Sequence, residues 1–109
     1  MQLAVNEALS ALKIHKDQTF LQLFRHGTMS VEIYRPHEVD LQQPHLQDEV
    51  YVIISGTGNF QNGDKTHTFG PGDLLFVPAG VPHRFIDFTE DFCTWVIFYG
   101  AAGGEANGE

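Results

Sequence analysis

His45 and Glu49 stand four residues apart, just ahead of the apolar run Val50 to Ile54. His83 follows a proline-framed bend, Pro78-Ala79-Gly80-Val81-Pro82. Imidazole and carboxylate groups bind divalent transition metals. Two imidazoles with one carboxylate suit Fe(II), Mn(II), Ni(II) or Zn(II) and leave positions open for water or substrate. Gln43, two residues before His45, is a candidate weak fourth ligand through its carbonyl oxygen, or a hydrogen-bond partner for a metal-bound water. Gln43 and Tyr51 are also the candidates for relaying protons to a bound substrate.

Geometry limits how these residues can meet. Along a straight strand, residues four apart are separated by about 13 Å, whereas metal ligands bring their donor atoms to about 2.1 Å from the ion. A bend at Leu46-Gln47-Asp48 is therefore required between His45 and Glu49. A helix would align them too, but Pro44 and the β-branched run after Glu49 disfavour one. Of the adjacent acids, Glu49 shares a strand face with Tyr51 and Ile53 and is the expected ligand, while Asp48 points away or into the corner. The competing reading is a hydrogen-bonded polar cluster at the mouth of a barrel.

The elements that must position these groups are mostly strands. Leu3 to Ile14 carries apolar residues at helical spacing, with Glu7 and Lys13 off that stripe, and predicts a short amphipathic helix. From residue 18 the period changes. Residues 19–25 and 29–35 read as strands joined across His26-Gly27-Thr28, the second ended by Pro36. Asn62-Gly63 between short alternating runs predicts a hairpin with positive φ at both central residues. Leu74 to Val77, the segment after Pro82, and Phe92 to Tyr99 supply further strands. Eight to ten short antiparallel strands imply a sandwich or barrel. The expected layout is an N-terminal helical segment over 1–17, a β-barrel over 18–100 and a flexible glycine-rich tail over 101–109.

Val50 to Ile54 and Phe92 to Tyr99 are apolar on both faces, so the outer face also needs cover, from the N-terminal segment or from a second subunit. A homodimer is the expected assembly. The 14 acidic and six basic residues, net charge −8, argue against nucleic acid and against anionic membranes as partners. The single cysteine, Cys93, rules out an internal disulfide and, in an apolar strand, reads as a buried inert thiol. With no basic region and hydrophobic block at the start, the cytoplasm is the expected location. His15, His26, His37 and His67 read as solvated, Arg25 and Arg84 as surface-paired. Tyr51, Phe76, Phe85, Trp95 and Phe98 read as core, with one or two lining a pocket.

Gln43-x-His45-x3-Glu49-x6-Gly56 resembles the first motif of the cupin superfamily, G-x5-H-x-H-x3-E-x6-G. Gly72-x5-Pro78-x-Gly80-x2-His83-x3-Asp87 resembles the second, G-x5-P-x-G-x2-H-x3-N. Gln43 stands where the first motif histidine would be, His37 where the leading glycine would be, and Asp87 where the closing asparagine would be. The resemblance covers most of residues 30–99. It implies an all-β fold, a double-stranded β-helix (jelly-roll or cupin barrel), here with a short N-terminal helix. It also implies a divalent metal carried by His45, Glu49 and His83.

The function expected from this is a metal-binding protein acting on, or sensing, a small organic molecule inside the barrel. Iron or manganese suits dioxygenase-type chemistry, the slightly favoured reading by resemblance. A redox-silent metal suits an isomerase, lyase or hydrolase. A non-catalytic small-ligand module and a purely structural dimer are the other readings.

Overall fold

The computed structural model describes residues 1–106. One helix, α1 (Val5–Ile14), precedes eight strands: β1 (Phe20–His26), β2 (Met29–Tyr34), β3 (Asp48–Ser55), β4 (Gly58–Asn62), β5 (Lys65–Phe69), β6 (Leu74–Val77), β7 (His83–Ile86) and β8 (Cys93–Tyr99). They form a five-stranded sheet in the order β1-β2-β8-β3-β6 and a three-stranded sheet in the order β5-β4-β7. Every pairing is antiparallel. This is the expected jelly-roll barrel. No helix among the described residues is long and apolar enough to cross a membrane.

Strand alternation sorts the side chains. In β3, after buried Asp48 at its start, Glu49, Tyr51 and Ile53 are buried, with Val50 and Val52 half-exposed between them. Of the inward set, Tyr51 and Ile53 join Phe60, Phe69, Phe85, Phe92 and Val96 in the main core. Phe85 lies at the hub, its ring 4.6 Å from Phe60 and from Phe92, 4.9 Å from Tyr51 and 5.3 Å from Phe69. These centroid separations fall in the favourable range for tilted aromatic pairs.

The outer face of the large sheet has its own cover. Helix α1 lays Ala8 and Leu12 onto Ile33 and Cys93, with Ile54 and Trp95 packed alongside. Glu7 in its first turn and Lys13 in its last complement the helix dipole. Of the two ways to shield this face, the N-terminal segment supplies the cover over this patch.

Three details differ from expectation. The second hairpin turns on Gly63 and Asp64, with Asn62 paired to Lys65. Only Gly63 takes a positive φ, +62°, so glycine sits at the first central position as a type II′ turn requires. Phe76 is 45% exposed, because β6 turns it and Leu74 outward and Leu75 inward. The chain after Gly100 docks on the barrel mouth before it ends: Gly103 N–H donates to the Leu46 carbonyl at 2.7 Å and Glu105 N–H to Asp48 Oδ2 at 2.8 Å. The rest of the expected tail, 107–109, lies outside the described residues.

Candidate metal centre

The bend required between His45 and Glu49 is present. His45 lies on an irregular segment, Leu46 and Gln47 turn the chain, and β3 opens at Asp48. Two kinds of tie hold this corner. Gly80 N–H donates to the His45 carbonyl at 2.8 Å, and Ala79 N–H donates to Asp48 Oδ1 at 2.9 Å, so the Pro78–Pro82 bend is bonded directly to the corner. Gly80 can serve there because it adopts φ +78°, a region disfavoured for residues with a Cβ. Asp48 is thus a clamp. Backbone N–H groups of Glu105 and Ala79 hold its carboxyl below the usual carboxylate range.

That bend delivers His83, the first residue of β7, into the barrel mouth. His83 Nε2 lies 2.9 Å from Glu49 Oε1, and His45 Nε2 lies 3.9 Å from the same oxygen. One donor atom from each of the three residues falls within 4.8 Å of the other two. Glu49 and His83 have side chains 1% exposed, whereas His45, at 32%, faces the opening. The His45 ring packs edge-on to Phe98, centroids 4.8 Å apart.

The hydrogen-bond inventory shows what this cluster lacks. His83 Nδ1 is 2.9 Å from the Val81 carbonyl, which only accepts, so Nδ1 carries a proton. In the neutral ring Nε2 is then a lone pair, directed at a carboxylate that is also an acceptor. Neither His83 Nε2 nor Glu49 Oε2 has a hydrogen-bond partner among the described residues, although both are buried. Orphaned buried acceptors cost about 1–3 kcal/mol each. A cation satisfies both at once, so the donor set fits a divalent metal.

Protonation follows the same geometry. Burial pushes His83 down, but its contact with Glu49, the Val81 carbonyl and the Glu49 charge outweigh that, and its net shift is upward. His45 shifts downward, through burial opposed in part by Glu49 and reinforced by His83. The Tyr51 hydroxyl is raised well above its ordinary range by burial and by the charge of Glu49, so it stays protonated. It donates to Gln42 Oε1 at 3.0 Å.

Gln42, then, and not Gln43, is the amide facing the cluster. Gln42 Oε1 is 3.3 Å from His45 Nε2, while Gln43 is exposed and lines an outer depression with Pro82 and Arg84. The expectation for Gln43 assumed a strand through residues 43–45, and the irregular backbone there removes that alternation. Buried Asp40, which the sequence did not single out, anchors this corner from behind. It accepts Tyr34 Oη at 2.6 Å, Phe85 N–H at 2.9 Å, Gln42 N–H at 3.1 Å and Gln42 Nε2 at 3.1 Å.

Beside His45 and Gln42 opens a cavity of about 290 Å³, walled by Phe20, Glu32, Tyr34, Val96 and Phe98. Glu32 projects into it from β2, where it pairs with Val96 of β8, which pairs in turn with Tyr51 of β3. Burial, and then the charge of Glu49, raises its carboxyl above the ordinary value. The other singled-out groups stand apart. His15, His26, His37, His67, Arg25 and Arg84 are exposed. Cys93 is buried under α1, its thiol pushed up to about 11 by burial.

The comparisons with known proteins agree with this architecture. Over 94 residues the chain is 37% identical to an uncharacterised protein of Streptomyces coelicolor, covering 84% of this chain and 90% of that one. Shorter matches link it to two enzymes. It is 33% identical over 57 residues to a dimethylsulfoniopropionate lyase of Ruegeria pomeroyi and 39% identical over 46 residues to an acireductone dioxygenase of Gallus gallus. Those matches span only 28% and 26% of the two enzymes. Among solved structures, a cupin-2 domain protein of Shewanella frigidimarina superposes with a TM-score of 0.69 at 16% identity, over 90% of this chain and 94% of that one. Residues 30–99 match the cupin domain family, from the second strand to the end of the last, and the chain belongs to that family.

Proposed function

We propose that this cupin holds a divalent transition metal (Fe, Mn, Ni or Zn) on His45, Glu49 and His83 and acts on a small organic molecule seated in the adjoining cavity. One observation carries the reading: three donor atoms from two distant motifs converge, and two buried atoms of the same residues have no hydrogen-bond partner among the described residues. Bound there, the metal supplies Lewis acidity or, if it is iron or manganese, redox chemistry. The chain's own residues do the rest. Phe20, Tyr34, Val96 and Phe98 give the cavity an apolar wall that selects by shape. Glu32 is its carboxylate, and no Lys or Arg lines it, so a neutral or cationic molecule is favoured over an anionic one. The Tyr51 hydroxyl keeps its proton beside the cluster and orders the amide at its edge.

For the reaction we favour dioxygenase-type chemistry. The partial match to a dioxygenase supports it, and the one to a lyase keeps an isomerase or lyase reaction as the alternative. A second reading, a non-catalytic ligand-binding or regulatory module, draws on the exposed Gln43 at the position of the motif histidine. The proposed setting is the cytoplasm and the proposed assembly a homodimer. Its support is the outer face of the large sheet, where Phe76 pairs with Val50 and Leu74 with Val52 and both β6 side chains are exposed.

Elemental analysis of protein purified without a metal-affinity tag tests the core of this proposal. Stoichiometric metal, lost in His45→Ala and His83→Ala, is the expected result. Metal-free protein that takes up no divalent ion on titration would overturn it. Dioxygen consumption with phenolic or sulfur-containing substrates then separates the dioxygenase from the binding module.

A further inference from the structure

Three donors are one short of the four that the two motifs would provide with a histidine at position 43, and the structure offers one more. The Gln42 side chain enters the cluster from the segment before His45. Its two ends differ only in chemistry: one accepts hydrogen bonds and the other donates them. Which end faces inward is decided by Asp40. That carboxylate is fully buried and accepts from Tyr34, from the Phe85 backbone and from the Gln42 backbone, so it meets donors on every side. The end of Gln42 that lies 3.1 Å from Asp40 Oδ2 must therefore be the NH2 group. A flipped amide would set its carbonyl against a carboxylate. The carbonyl oxygen is thus directed at the cluster, 3.0 Å from the Tyr51 hydroxyl and 3.3 Å from His45 Nε2. The Tyr51 proton uses one lone pair of that oxygen, and the second faces His45 Nε2, a hydrogen bond only when that nitrogen carries a proton, which a metal-bound His45 does not.

We propose that Gln42 Oε1 is the fourth protein donor of the metal site and that Asp40 is the positioning residue that turns it inward. The proposal rests on the metal reading above. With it the set becomes two imidazole nitrogens and two oxygens, one from a carboxylate and one from an amide. An amide oxygen is a harder donor than imidazole, so the site gives up affinity for Ni(II) and Zn(II) relative to one with a third histidine, and loses less for Mn(II).

Calorimetric titration of the tag-free, metal-stripped full chain with Mn(II) and with Ni(II) tests this, alongside the visible spectrum of the Co(II) form. Gln42→Ala is expected to weaken Mn(II) binding on the order of 10- to 100-fold and to change the Co(II) spectrum, while Gln43→Ala leaves both as they are. Gln42→His is expected to raise Ni(II) affinity more than Mn(II) affinity. Should Gln42→Ala fold poorly by circular dichroism, Gln42→Met removes the carbonyl while keeping the side-chain length. Binding within about twofold of the parent in both variants, with an unchanged Co(II) spectrum, would overturn the fourth donor and leave the three-residue site standing, provided His83→Ala abolishes binding. A parent chain that binds neither Mn(II) nor Ni(II) would overturn the site and the fourth donor together.

Discussion

The interior of this barrel runs from a polar mouth to an aromatic floor, and the two regions are built by opposite rules. In the floor, Phe60, Phe69, Phe85 and Phe92 bury hydrocarbon rings against one another, and no polar atom needs a partner. In the mouth, Asp40, Gln42, His45, Glu49 and His83 are drawn together, and two of their atoms have none among the described residues. Tyr51 belongs to both regions: its ring packs on Phe60 and Phe85, while its hydroxyl reaches Gln42. The contrast teaches where stability and function reside. The floor contributes folding free energy, and the mouth withholds some of it to keep donor atoms directed at a common point.

If that division holds, substitutions in the two regions move different observables. The largest effect on stability is expected from Phe85→Ala. A fully buried phenylalanine touching four aromatic rings should cost about 3–5 kcal/mol when truncated. Urea denaturation measures it, and metal content per folded molecule should not change. A loss below about 1 kcal/mol would mean that the floor is not the stabilising core.

His83→Ala is the mirror experiment. It removes a nitrogen donor whose ring the Val81 carbonyl holds in place. Partners that merely orient a metal ligand are worth about 10–100-fold in affinity, the range also expected for the weak amide donor of Gln42, so loss of an imidazole ligand is expected to cost on the order of 100-fold or more. The unfolding midpoint of the metal-free protein should move far less than in Phe85→Ala. Metal retained at full stoichiometry would place the binding group elsewhere.

A third substitution probes the frame that holds the two regions together. Gly56, which closes the first motif, adopts φ +87°, and an added Cβ would lie 2.5 Å from the Cα of Phe92. Backbone cannot yield as a side-chain tip does, so Gly56→Ala is expected to destabilise by more than about 1 kcal/mol. Unfolding curves check this, and a neutral outcome would show that the β3–β4 turn can shift.

How much of this was legible beforehand follows the same division. The floor and the donor triad could be read because regular strands make facing predictable: Glu49, Tyr51 and Ile53 alternate inward as period two demands. The motif spacings carried His45 and His83 to one place because the bend of prolines and Gly80 is rigid and bonded to the corner. Asp87 can stand where the motif has asparagine because it takes φ +52°, a conformation both residues tolerate. Where the backbone is irregular the reading fails. Residues 41–45 form no strand, so the choice between Gln42 and Gln43 depended on a twist that no periodicity encodes. Asp40 was missed for the same reason: its role comes from Tyr34 and Phe85, which only the fold brings to it. Phe76 was misplaced because an apolar run such as Leu74 to Val77 looks alike whether one face is buried or two.

The smallest effect, and the sharpest test of the division, is expected from Glu49→Met in metal-free protein. Glu49 is 1% exposed, yet one of its oxygens has no partner among the described residues and the other meets His83 Nε2 at 2.9 Å. Replacing a buried carboxylate by a flexible apolar side chain of similar size removes that cost. His83 is not stranded as a charge, since it can stay neutral with Nδ1 bonded to Val81. The metal-free variant should therefore be as stable as the parent or more stable by up to about 1 kcal/mol, while metal binding is lost. Were it instead less stable by more than about 2 kcal/mol, the His83–Glu49 contact would be a structural ion pair. The mouth would then contribute to folding as the floor does, and the contrast drawn between them would collapse.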